Sequence, residues 1–253
     1  MLTFHRSNAK LDALEKMTGK KVYTCSLLSG HTCPFALDCL SKVVIVNGKR
    51  KVVDGPHTKF RCFSASQEAQ YTPVYNDRLE NSLNIRSASR EDMALEIADA
   101  IPLDAGIIRI HVGGDFMNPN YFLAWLDVAN AIPDVTFYAY TKSLPYWVDN
   151  RAYVEDTPNM LLTASYGGRR DDLIESENLR SVKVVFSTME AKELGLELDH
   201  DDSHAANPNK RDESFALLLH GTQPPKSEAS KALSALKGKG SYSRKKKNVN
   251  ANV

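Results

Sequence analysis

Apolar runs rich in β-branched and aromatic residues recur along the chain and predict six β-strands. In chain order these predicted strands are Val22–Cys25, Ile107–Val112, Val135–Tyr140, Met160–Ala164, Val182–Phe186 and Phe215–Leu219. A helical pattern follows most of them and is clearest in Pro119–Ala131, where the large apolar side chains share one face. Strands that alternate with helices predict an α/β protein with a parallel sheet of βα units.

A β-hairpin is predicted between the first and second strands. Two β-rich runs flank Asn47-Gly48, a dipeptide that two-residue hairpin turns favour. This hairpin insert spans residues 43–60 and would return the chain to its starting point. After it, the pattern is helical over Ser64–Ile101, with Ser89 as the cap of one helix.

Three of the four cysteines follow the first predicted strand, with the spacing Cys25-x7-Cys33-x5-Cys39, and Cys62 comes after the hairpin. Clustered thiolates hold soft metals and iron–sulfur clusters, whereas a buried structural cysteine needs no others nearby. Because a hairpin returns its two ends to the same place, Cys62 can reach the others. We therefore expect all four cysteines to converge on one metal site. The alternative is a set of ordinary core thiols and incidental ones.

The number and spacing of the thiolates bear on which metal they bind. Four cysteines on one 4Fe–4S cluster would saturate every iron, and the cluster would serve electron transfer, sensing or structure. Three cysteines would leave one iron open to another molecule; we favour four. Zinc is the alternative, since four cysteines can form a closed tetrahedral site. Structural zinc sites generally use short spacings between cysteine pairs, which this chain lacks, so its long spacings favour iron–sulfur.

Polar residues and glycines follow the carboxyl end of every predicted strand. In folds built from parallel strands, this edge carries the active site. Gly113, Gly114 and Asp115 follow the second strand, so we expect them to line a cofactor-binding pocket beside the cysteines. The alternative is a plain turn in which Asp115 caps the next helix. Lys142, after the third strand, could meet a carboxylate or phosphate of a ligand or form a surface ion pair.

Acidic residues and histidines are concentrated before the last strand, in the segment Asp199–His204. Mixed oxygen and nitrogen ligands could bind a divalent metal there, as a nuclease-like hydrolase would require. A solvated acidic loop is the favoured interpretation, because the adjacent Asn207-Pro208-Asn209 is typical of a loop. His111 falls within a strand and is expected to be a hydrogen-bonded core residue.

The composition is ordinary for a soluble globular protein, with 42% hydrophobic and 25% charged residues in a chain of 253. No apolar run is long enough to cross a bilayer, and the first residues lack the apolar core of a signal peptide. We therefore expect a cytoplasmic protein without a membrane partner. In a reducing cytoplasm, cysteines favour metal or redox chemistry over disulfides.

The net charge of +1 hides a basic C-terminus. From Lys226 onward, eight lysine and arginine residues stand against the single acid Glu228. Such a tail could contact nucleic acid or be a solvated, disordered end. The predicted organisation is an N-terminal arm at residues 1–20, one iron–sulfur domain at 21–225 and a basic, disordered tail at 226–253.

The order of these features resembles the radical S-adenosylmethionine superfamily, whose fold is a partial (βα)6 barrel. In that superfamily the loop after the first strand binds a 4Fe–4S cluster through three cysteines, and a Gly-Gly-Glu turn after the second strand binds the methionine amino group. Gly113, Gly114 and Asp115 match that turn, with Asp in place of Glu. The resemblance covers residues 22–222 and implies a six-stranded, partial TIM-like barrel with the hairpin inserted after its first strand. The cysteine spacing departs from the superfamily's usual C-x3-C-x2-C, so S-adenosylmethionine is implied only as a possible second cofactor.

The whole chain also resembles a phage family called gene product 88, which would place it in the host cytoplasm. The matching segments include CPFA among the cysteines, HVGGDF, FYAYTKS and FALLLHGTQP. Together these features predict a 4Fe–4S protein on a radical-S-adenosylmethionine-like scaffold, in a redox, sensing or atypical enzymatic role that could involve a redox partner. The alternative is a zinc-stabilised phage protein that binds nucleic acid or acts as a nuclease.

Overall fold

A sheet of seven parallel strands forms the centre of the computed structural model, which describes residues 1–6 and 9–236. Two further strands form a separate antiparallel hairpin. The sheet order is β1-β4-β5-β6-β7-β9-β8. In chain order the strands are β1 (Lys21–Cys25), β2 (Ser41–Val46), β3 (Lys49–Asp54), β4 (Ala105–Ile110), β5 (Thr136–Thr141), β6 (Met160–Ser165), β7 (Ser181–Val185), β8 (Glu197–Leu198) and β9 (Phe215–Leu218).

Helices follow the strands in the alternation that the sequence predicts. The cap at Ser89 is confirmed, because its side-chain oxygen accepts a hydrogen bond from the backbone N–H of Asp92 at 3.1 Å. A 3₁₀ turn spans Pro208–Lys210. The α-helices are α1 (Ala9–Thr18), α2 (Phe63–Gln70), α3 (Thr72–Ile85), α4 (Arg90–Ala100), α5 (Pro119–Ala131), α6 (Leu144–Asp149), α7 (Arg151–Glu155), α8 (Asp172–Ser176), α9 (Thr188–Glu193) and α10 (Glu228–Ala235).

The α/β class and the parallel sheet are confirmed, but the strand count of six is wrong. All six predicted strands are present, as β1, β4, β5, β6, β7 and β9. The seventh, β8, pairs with β9 at the edge of the sheet and has only two residues, Glu197 and Leu198, which is too short to give a periodic pattern. The partial barrel implied by the superfamily resemblance is not confirmed.

The predicted hairpin is confirmed as β2 and β3. Asn47 and Gly48 form its turn with φ values of 51° and 72°. Positive φ at both central residues is typical of the type I′ turn, which matches the twist of the flanking strands. The hairpin therefore leaves the cysteine loop after Cys39 and returns the chain toward Cys62.

Apolar side chains cover both faces of the parallel sheet. On one face, Phe122 and Trp125 of α5 pack against Ile108, Ile110 and Phe137, and all five are at most 1% exposed. Burial of large apolar side chains of this kind contributes about 1.5–3 kcal/mol each to the free energy of unfolding. This face anchors the outer helices and leaves the carboxyl ends of the strands for a site.

The opposite face is covered in part by the N-terminal segment, which is not a polar arm. Leu11 and Leu14 of α1 are each 2% exposed and pack against Val22 and Phe215. The short predicted helix in this segment exists, but its two buried leucines form a stripe too small to reveal the burial of α1 from sequence. Residues 9–18 therefore belong to the domain.

The beginning of the predicted disordered tail is also folded. Leu236, just after α10, packs against Val185 and Leu218, and Ala229 of α10 is fully buried. The boundary predicted at residue 226 is therefore too early. Residues 237–253, which hold most of the basic residues of the predicted tail, lie outside the described residues.

Candidate metal centre

Three cysteines and the Gly-Gly-Asp turn line one cavity of about 900 Å³ at the carboxyl ends of the strands. Six of the seven parallel strands contribute residues to its wall. The pocket predicted beside the cysteines is therefore present. The predicted site residues that line it are Cys33, Cys39, Cys62, Gly113, Gly114, Asp115 and Lys142.

Cys25 is the exception among the four cysteines. Side chains alternate between the two faces of a strand, so Thr24 and Ser26 face the cavity while Cys25 points into the opposite core, where it is fully buried. The side-chain N–H of Asn81 donates to its sulfur at 3.6 Å. Burial raises the pKa of Cys25 to about 12, with a smaller contribution from Glu96. The structure therefore groups three of the four cysteines and places Cys25 apart from them.

All four cysteines are free, and the three at the cavity lie close enough to raise one another's pKa. Burial, then Asp115 and Cys62, raise the pKa of Cys33 well above its usual value. Burial, followed by Cys39, raises the pKa of Cys62 to about 11. These groups are therefore thiols at neutral pH in the metal-free protein, and a bound metal would displace their protons.

Backbone N–H groups point at two of the three sulfurs. The backbone N–H of Gly30 donates to the sulfur of Cys33 at 3.3 Å. Cys62 immediately precedes α2, and the N–H groups of Ser64 and Ala65 lower its pKa against the larger effect of burial. Such hydrogen bonds stabilise thiolates and tune the reduction potential of a cluster that they hold.

A buried ion pair, which the sequence does not predict, anchors the cysteine loop. The carboxylate of Glu68, which is fully buried, accepts from the backbone and side chain of Ser29 at 3.0 and 2.7 Å and from Arg78 at 2.9 Å. Glu68 and Arg78 lie ten residues apart on different helices, so no sequence spacing joins them to the loop. Their contacts anchor Ser29, four residues before Cys33 in the cysteine loop.

Asp115 lines the cavity, but it does not cap the next helix, because Asn118 caps α5 by accepting from the backbone N–H of Tyr121 at 2.8 Å. Its carboxylate accepts from the backbone N–H of Phe116 at 2.8 Å, the hydroxyl of Thr141 at 2.6 Å and the backbone N–H of Lys142 at 2.8 Å. Burial raises its pKa, against the opposing effect of these hydrogen bonds. The carboxylate thus ties the end of β4 to the end of β5 and keeps one face toward the cavity.

The two glycines before Asp115 are required by protein contacts. Gly114 has φ +86°, and a Cβ atom there would lie 2.7 Å from the Cβ of Leu27 and from the Oγ1 of Thr32. A Cβ atom on Gly113 would lie 2.2 Å from the hydroxyl of Ser64. Their small size lets the cysteine loop and the start of α2 pack directly on the end of β4.

The ammonium of Lys142 is engaged by the neighbouring strand end. It donates to the side chain of Ser165 at 2.6 Å and to the backbone carbonyls of Ser165 and Tyr166 at 3.2 and 2.7 Å. Lys142 therefore links the ends of β5 and β6 and forms part of the cavity wall. Within the residues that the structure describes, it does not form the surface ion pair considered from sequence.

His111 is buried and hydrogen-bonded, as expected, but it follows the last residue of β4 instead of lying within the strand, and it lines the cavity. Its Nε2 lies 3.0 Å from the hydroxyl of Tyr121, and its ring packs against Phe116. Burial lowers its pKa to about 3, helped by the positive charge of Arg109. The ring is therefore neutral at physiological pH.

The segment Asp199–His204 is not a solvated acidic loop. Asp202 is fully buried and accepts hydrogen bonds from Lys10 at 3.0 Å, Arg109 at 2.5 Å and the hydroxyl of Tyr138 at 2.9 Å. Burial alone would raise its pKa, but Arg109 and Lys10 hold it well below the usual range. The segment is buried because this carboxylate balances two cations beneath the cavity.

Lys210 occupies the place that a divalent metal would take beside His204, the last residue of this segment. Oxygen and nitrogen atoms of Glu197, His204 and Glu213 lie within 4.8 Å of one another. The ammonium of Lys210 lies 2.9 Å from Nε2 of His204, 3.3 Å from Glu197 and 3.5 Å from Glu213. A lysine ammonium therefore satisfies the group without a metal ion.

Sulfur spacing distinguishes a zinc site from an iron–sulfur site. In tetrahedral zinc coordination with Zn–S bonds of about 2.3 Å, two thiolate sulfurs are separated by about 3.8 Å. Within the described part of the chain, the Glu197 group is the one set of three such ligands gathered within 4.8 Å, so the three cysteine sulfurs are spread more widely. The three sulfurs are therefore farther apart than the thiolates of one tetrahedral zinc ion.

A family model described as Gene product 88 matches residues 2–236, and the chain therefore belongs to that family. The phage family recognised from sequence is thus confirmed. Searches of the curated proteins and of the solved structures found no match, so the resemblance to the radical S-adenosylmethionine superfamily gains no support from them. No helix among the described residues has the length and apolar character needed to cross a membrane.

Proposed function

We propose that this member of the Gene product 88 family is an iron–sulfur protein whose 4Fe–4S cluster is held by Cys33, Cys39 and Cys62. The observation that carries the proposal is the convergence of three free cysteines on one cavity while the fourth lies in the core. Thiolates are the ligands that iron–sulfur clusters use. The buried pair of Glu68 and Arg78 supports the proposal because it anchors Ser29, which lies in the cysteine loop.

Three cysteine ligands leave one iron of a 4Fe–4S cluster without a protein thiolate. That arrangement differs from the four-ligand site favoured from sequence, and it is the arrangement that the radical S-adenosylmethionine superfamily uses. The turn of Gly113, Gly114 and Asp115 lines the same cavity, and it follows the second strand of the large sheet, as the turn that binds the methionine amino group does in that superfamily. An exposed iron would supply redox chemistry or a coordination site for a ligand.

The chain's own residues would then bind and orient whatever enters the cavity. Asp115 presents a carboxylate whose position is fixed by Thr141 and by the backbone of Lys142. The N–H of Gly30 and the start of α2 stabilise the thiolates of Cys33 and Cys62. The fixed carboxylate of Asp115 supports S-adenosylmethionine as the second ligand, because it could accept from an amino group. A cluster used for electron transfer or sensing is the other form of the proposal.

Metal analysis of anaerobically purified protein tests the proposal. We expect a brown protein with about four irons and four sulfides per chain, either as isolated or after reconstitution with ferrous iron and sulfide. The control is the variant in which Cys33, Cys39 and Cys62 are all replaced by alanine, which should stay colourless under the same treatment. A colourless wild-type protein that contains one zinc per chain and takes up no iron would refute the proposal.

A further inference from the structure

The β2–β3 hairpin has one face against the protein and one toward solvent. On the inner face, Val43 is 2% exposed, and the guanidinium of Arg50 donates to the hydroxyl of Thr72 at 2.6 Å. Residues directly opposite in an antiparallel pair share a face. The register therefore places on the outward face Lys42 opposite Val53, Val44 opposite Lys51 and Val46 opposite Lys49.

The outward face is positively charged. Lys42, Lys49 and Lys51 are exposed, and none of them has an ion-pair partner among the described residues. The acidic residue of the hairpin, Asp54, lies on the other face and is paired with Arg61 at 2.6 Å. The outward face thus carries three lysines and no acidic residue, in a protein whose net charge is only +1.

We propose that this outward face binds the phosphate backbone of double-helical nucleic acid. The three lysines occupy successive levels of the ribbon, two residues apart, so neighbouring levels are separated by about 7 Å. A duplex carries one negative charge for about every 1.7 Å of its axis, so each lysine reaches a different phosphate. A two-stranded ribbon is also of a width that the major groove accommodates.

The apolar residues of the same face favour nucleic acid over a lipid surface. They are the valines Val44, Val46 and Val53, of which Val46 and Val53 are exposed. Segments that lie in a membrane interface bury large residues such as Trp, Phe and Leu, and this face has none. Valine side chains offer instead a small apolar contact to sugars and thymine methyl groups in a groove.

The position of the hairpin would place bound nucleic acid beside the cysteine cavity. The hairpin emerges between Cys39 and Cys62, and Leu40 and Phe60 at its base line the same cavity. The charged face itself does not depend on what the cysteines hold. Binding of nucleic acid by the hairpin therefore does not require that the cysteines hold an iron–sulfur cluster.

The salt dependence of duplex binding tests this inference on the full chain. Binding of a short fluorescent duplex DNA would be measured by anisotropy at several salt concentrations. We expect the triple variant Lys42→Gln, Lys49→Gln, Lys51→Gln to bind more weakly and to lower the slope of log K against log salt by about 2.7, since each phosphate contact contributes about 0.9. Residues 237–253 are unchanged in the variant, so their contribution cancels.

The matched control is the triple variant Lys16→Gln, Lys20→Gln, Lys192→Gln, which removes the same charge from exposed positions outside the hairpin. It should keep the wild-type slope, and both variants should unfold at the wild-type temperature. Equal slopes in the two triple variants, or no duplex binding by the wild-type chain at low salt, would overturn the inference. So would hairpin-dependent binding to phosphatidylserine vesicles without binding to the duplex.

Discussion

Replacing Cys33, Cys39 or Cys62 by alanine should remove most of the bound iron, whereas Cys25→Ala should leave the iron content unchanged. Cys33, Cys39 and Cys62 line the cavity, and the loss of one ligand weakens both the cluster and the fold that it stabilises. Cys25 faces the opposite core, so its replacement costs packing only. We expect Cys25→Ala to lower the free energy of unfolding by about 1–2 kcal/mol.

Cys25→Ala is the internal control of that series, because it removes the same atom from the same region of the chain. Iron and sulfide would be measured per chain for each variant after identical anaerobic reconstitution. Loss of iron in Cys25→Ala comparable with that in the other three would restore the four-cysteine site. Full iron content in Cys33→Ala, Cys39→Ala or Cys62→Ala would remove that residue from the ligand set.

Asp202→Asn should be among the most destabilising single substitutions in the chain, with a cost of about 3–5 kcal/mol. The carboxylate is fully buried and shared by Lys10 and Arg109. Asparagine has the same shape, so the substitution removes the negative charge while the two cations stay buried. The free energy of unfolding in urea would report the loss.

The matched control for Asp202 is Asp172→Asn, which breaks the exposed ion pair with Arg170 at 3.0 Å. An exposed pair of this kind contributes little to stability, because water and salt screen it. An equally small loss of the free energy of unfolding in Asp202→Asn would show that the buried network of Asp202, Lys10 and Arg109 does not stabilise the fold.

The pH dependence follows from the lowered pKa of Asp202. An acid whose pKa is lower in the folded state stabilises the fold above its unfolded pKa, near about 3.9, and loses this contribution as the pH falls through the folded value. The difference in stability between the wild type and Asp202→Asn should therefore be full at neutral pH and shrink below about pH 4.

The sequence predicts the sheet well because buried parallel strands are recorded as continuous apolar runs. It predicts the hairpin because Asn47-Gly48 specifies the turn. It does not predict β8, whose two residues show no period, nor the burial of α1, which depends on only two leucines. Short elements at the edges are stabilised by tertiary contacts that no local pattern records.

The sequence predicts where the candidate site lies, but not which of the cysteines and acidic residues belong to it. The clustering of cysteines after β1 indicates a metal centre, and the order of the strands brings Asp115 beside it. The exclusion of Cys25 depends on which face of β1 it occupies, and a shift of one residue would reverse that. The burial of Asp202 depends on cations from α1 and β4 that lie far away in sequence.

The open iron is the feature that most directly tests the three-cysteine cluster. Mössbauer spectra of the reconstituted wild-type protein would be recorded before and after addition of S-adenosylmethionine. With three cysteine ligands, one of the four irons should change its isomer shift on addition while the other three stay unchanged. Four irons that respond alike would contradict a cluster held by Cys33, Cys39 and Cys62 with one iron open to the cavity, and a spectrum that S-adenosylmethionine leaves unaltered would exclude it as the second ligand.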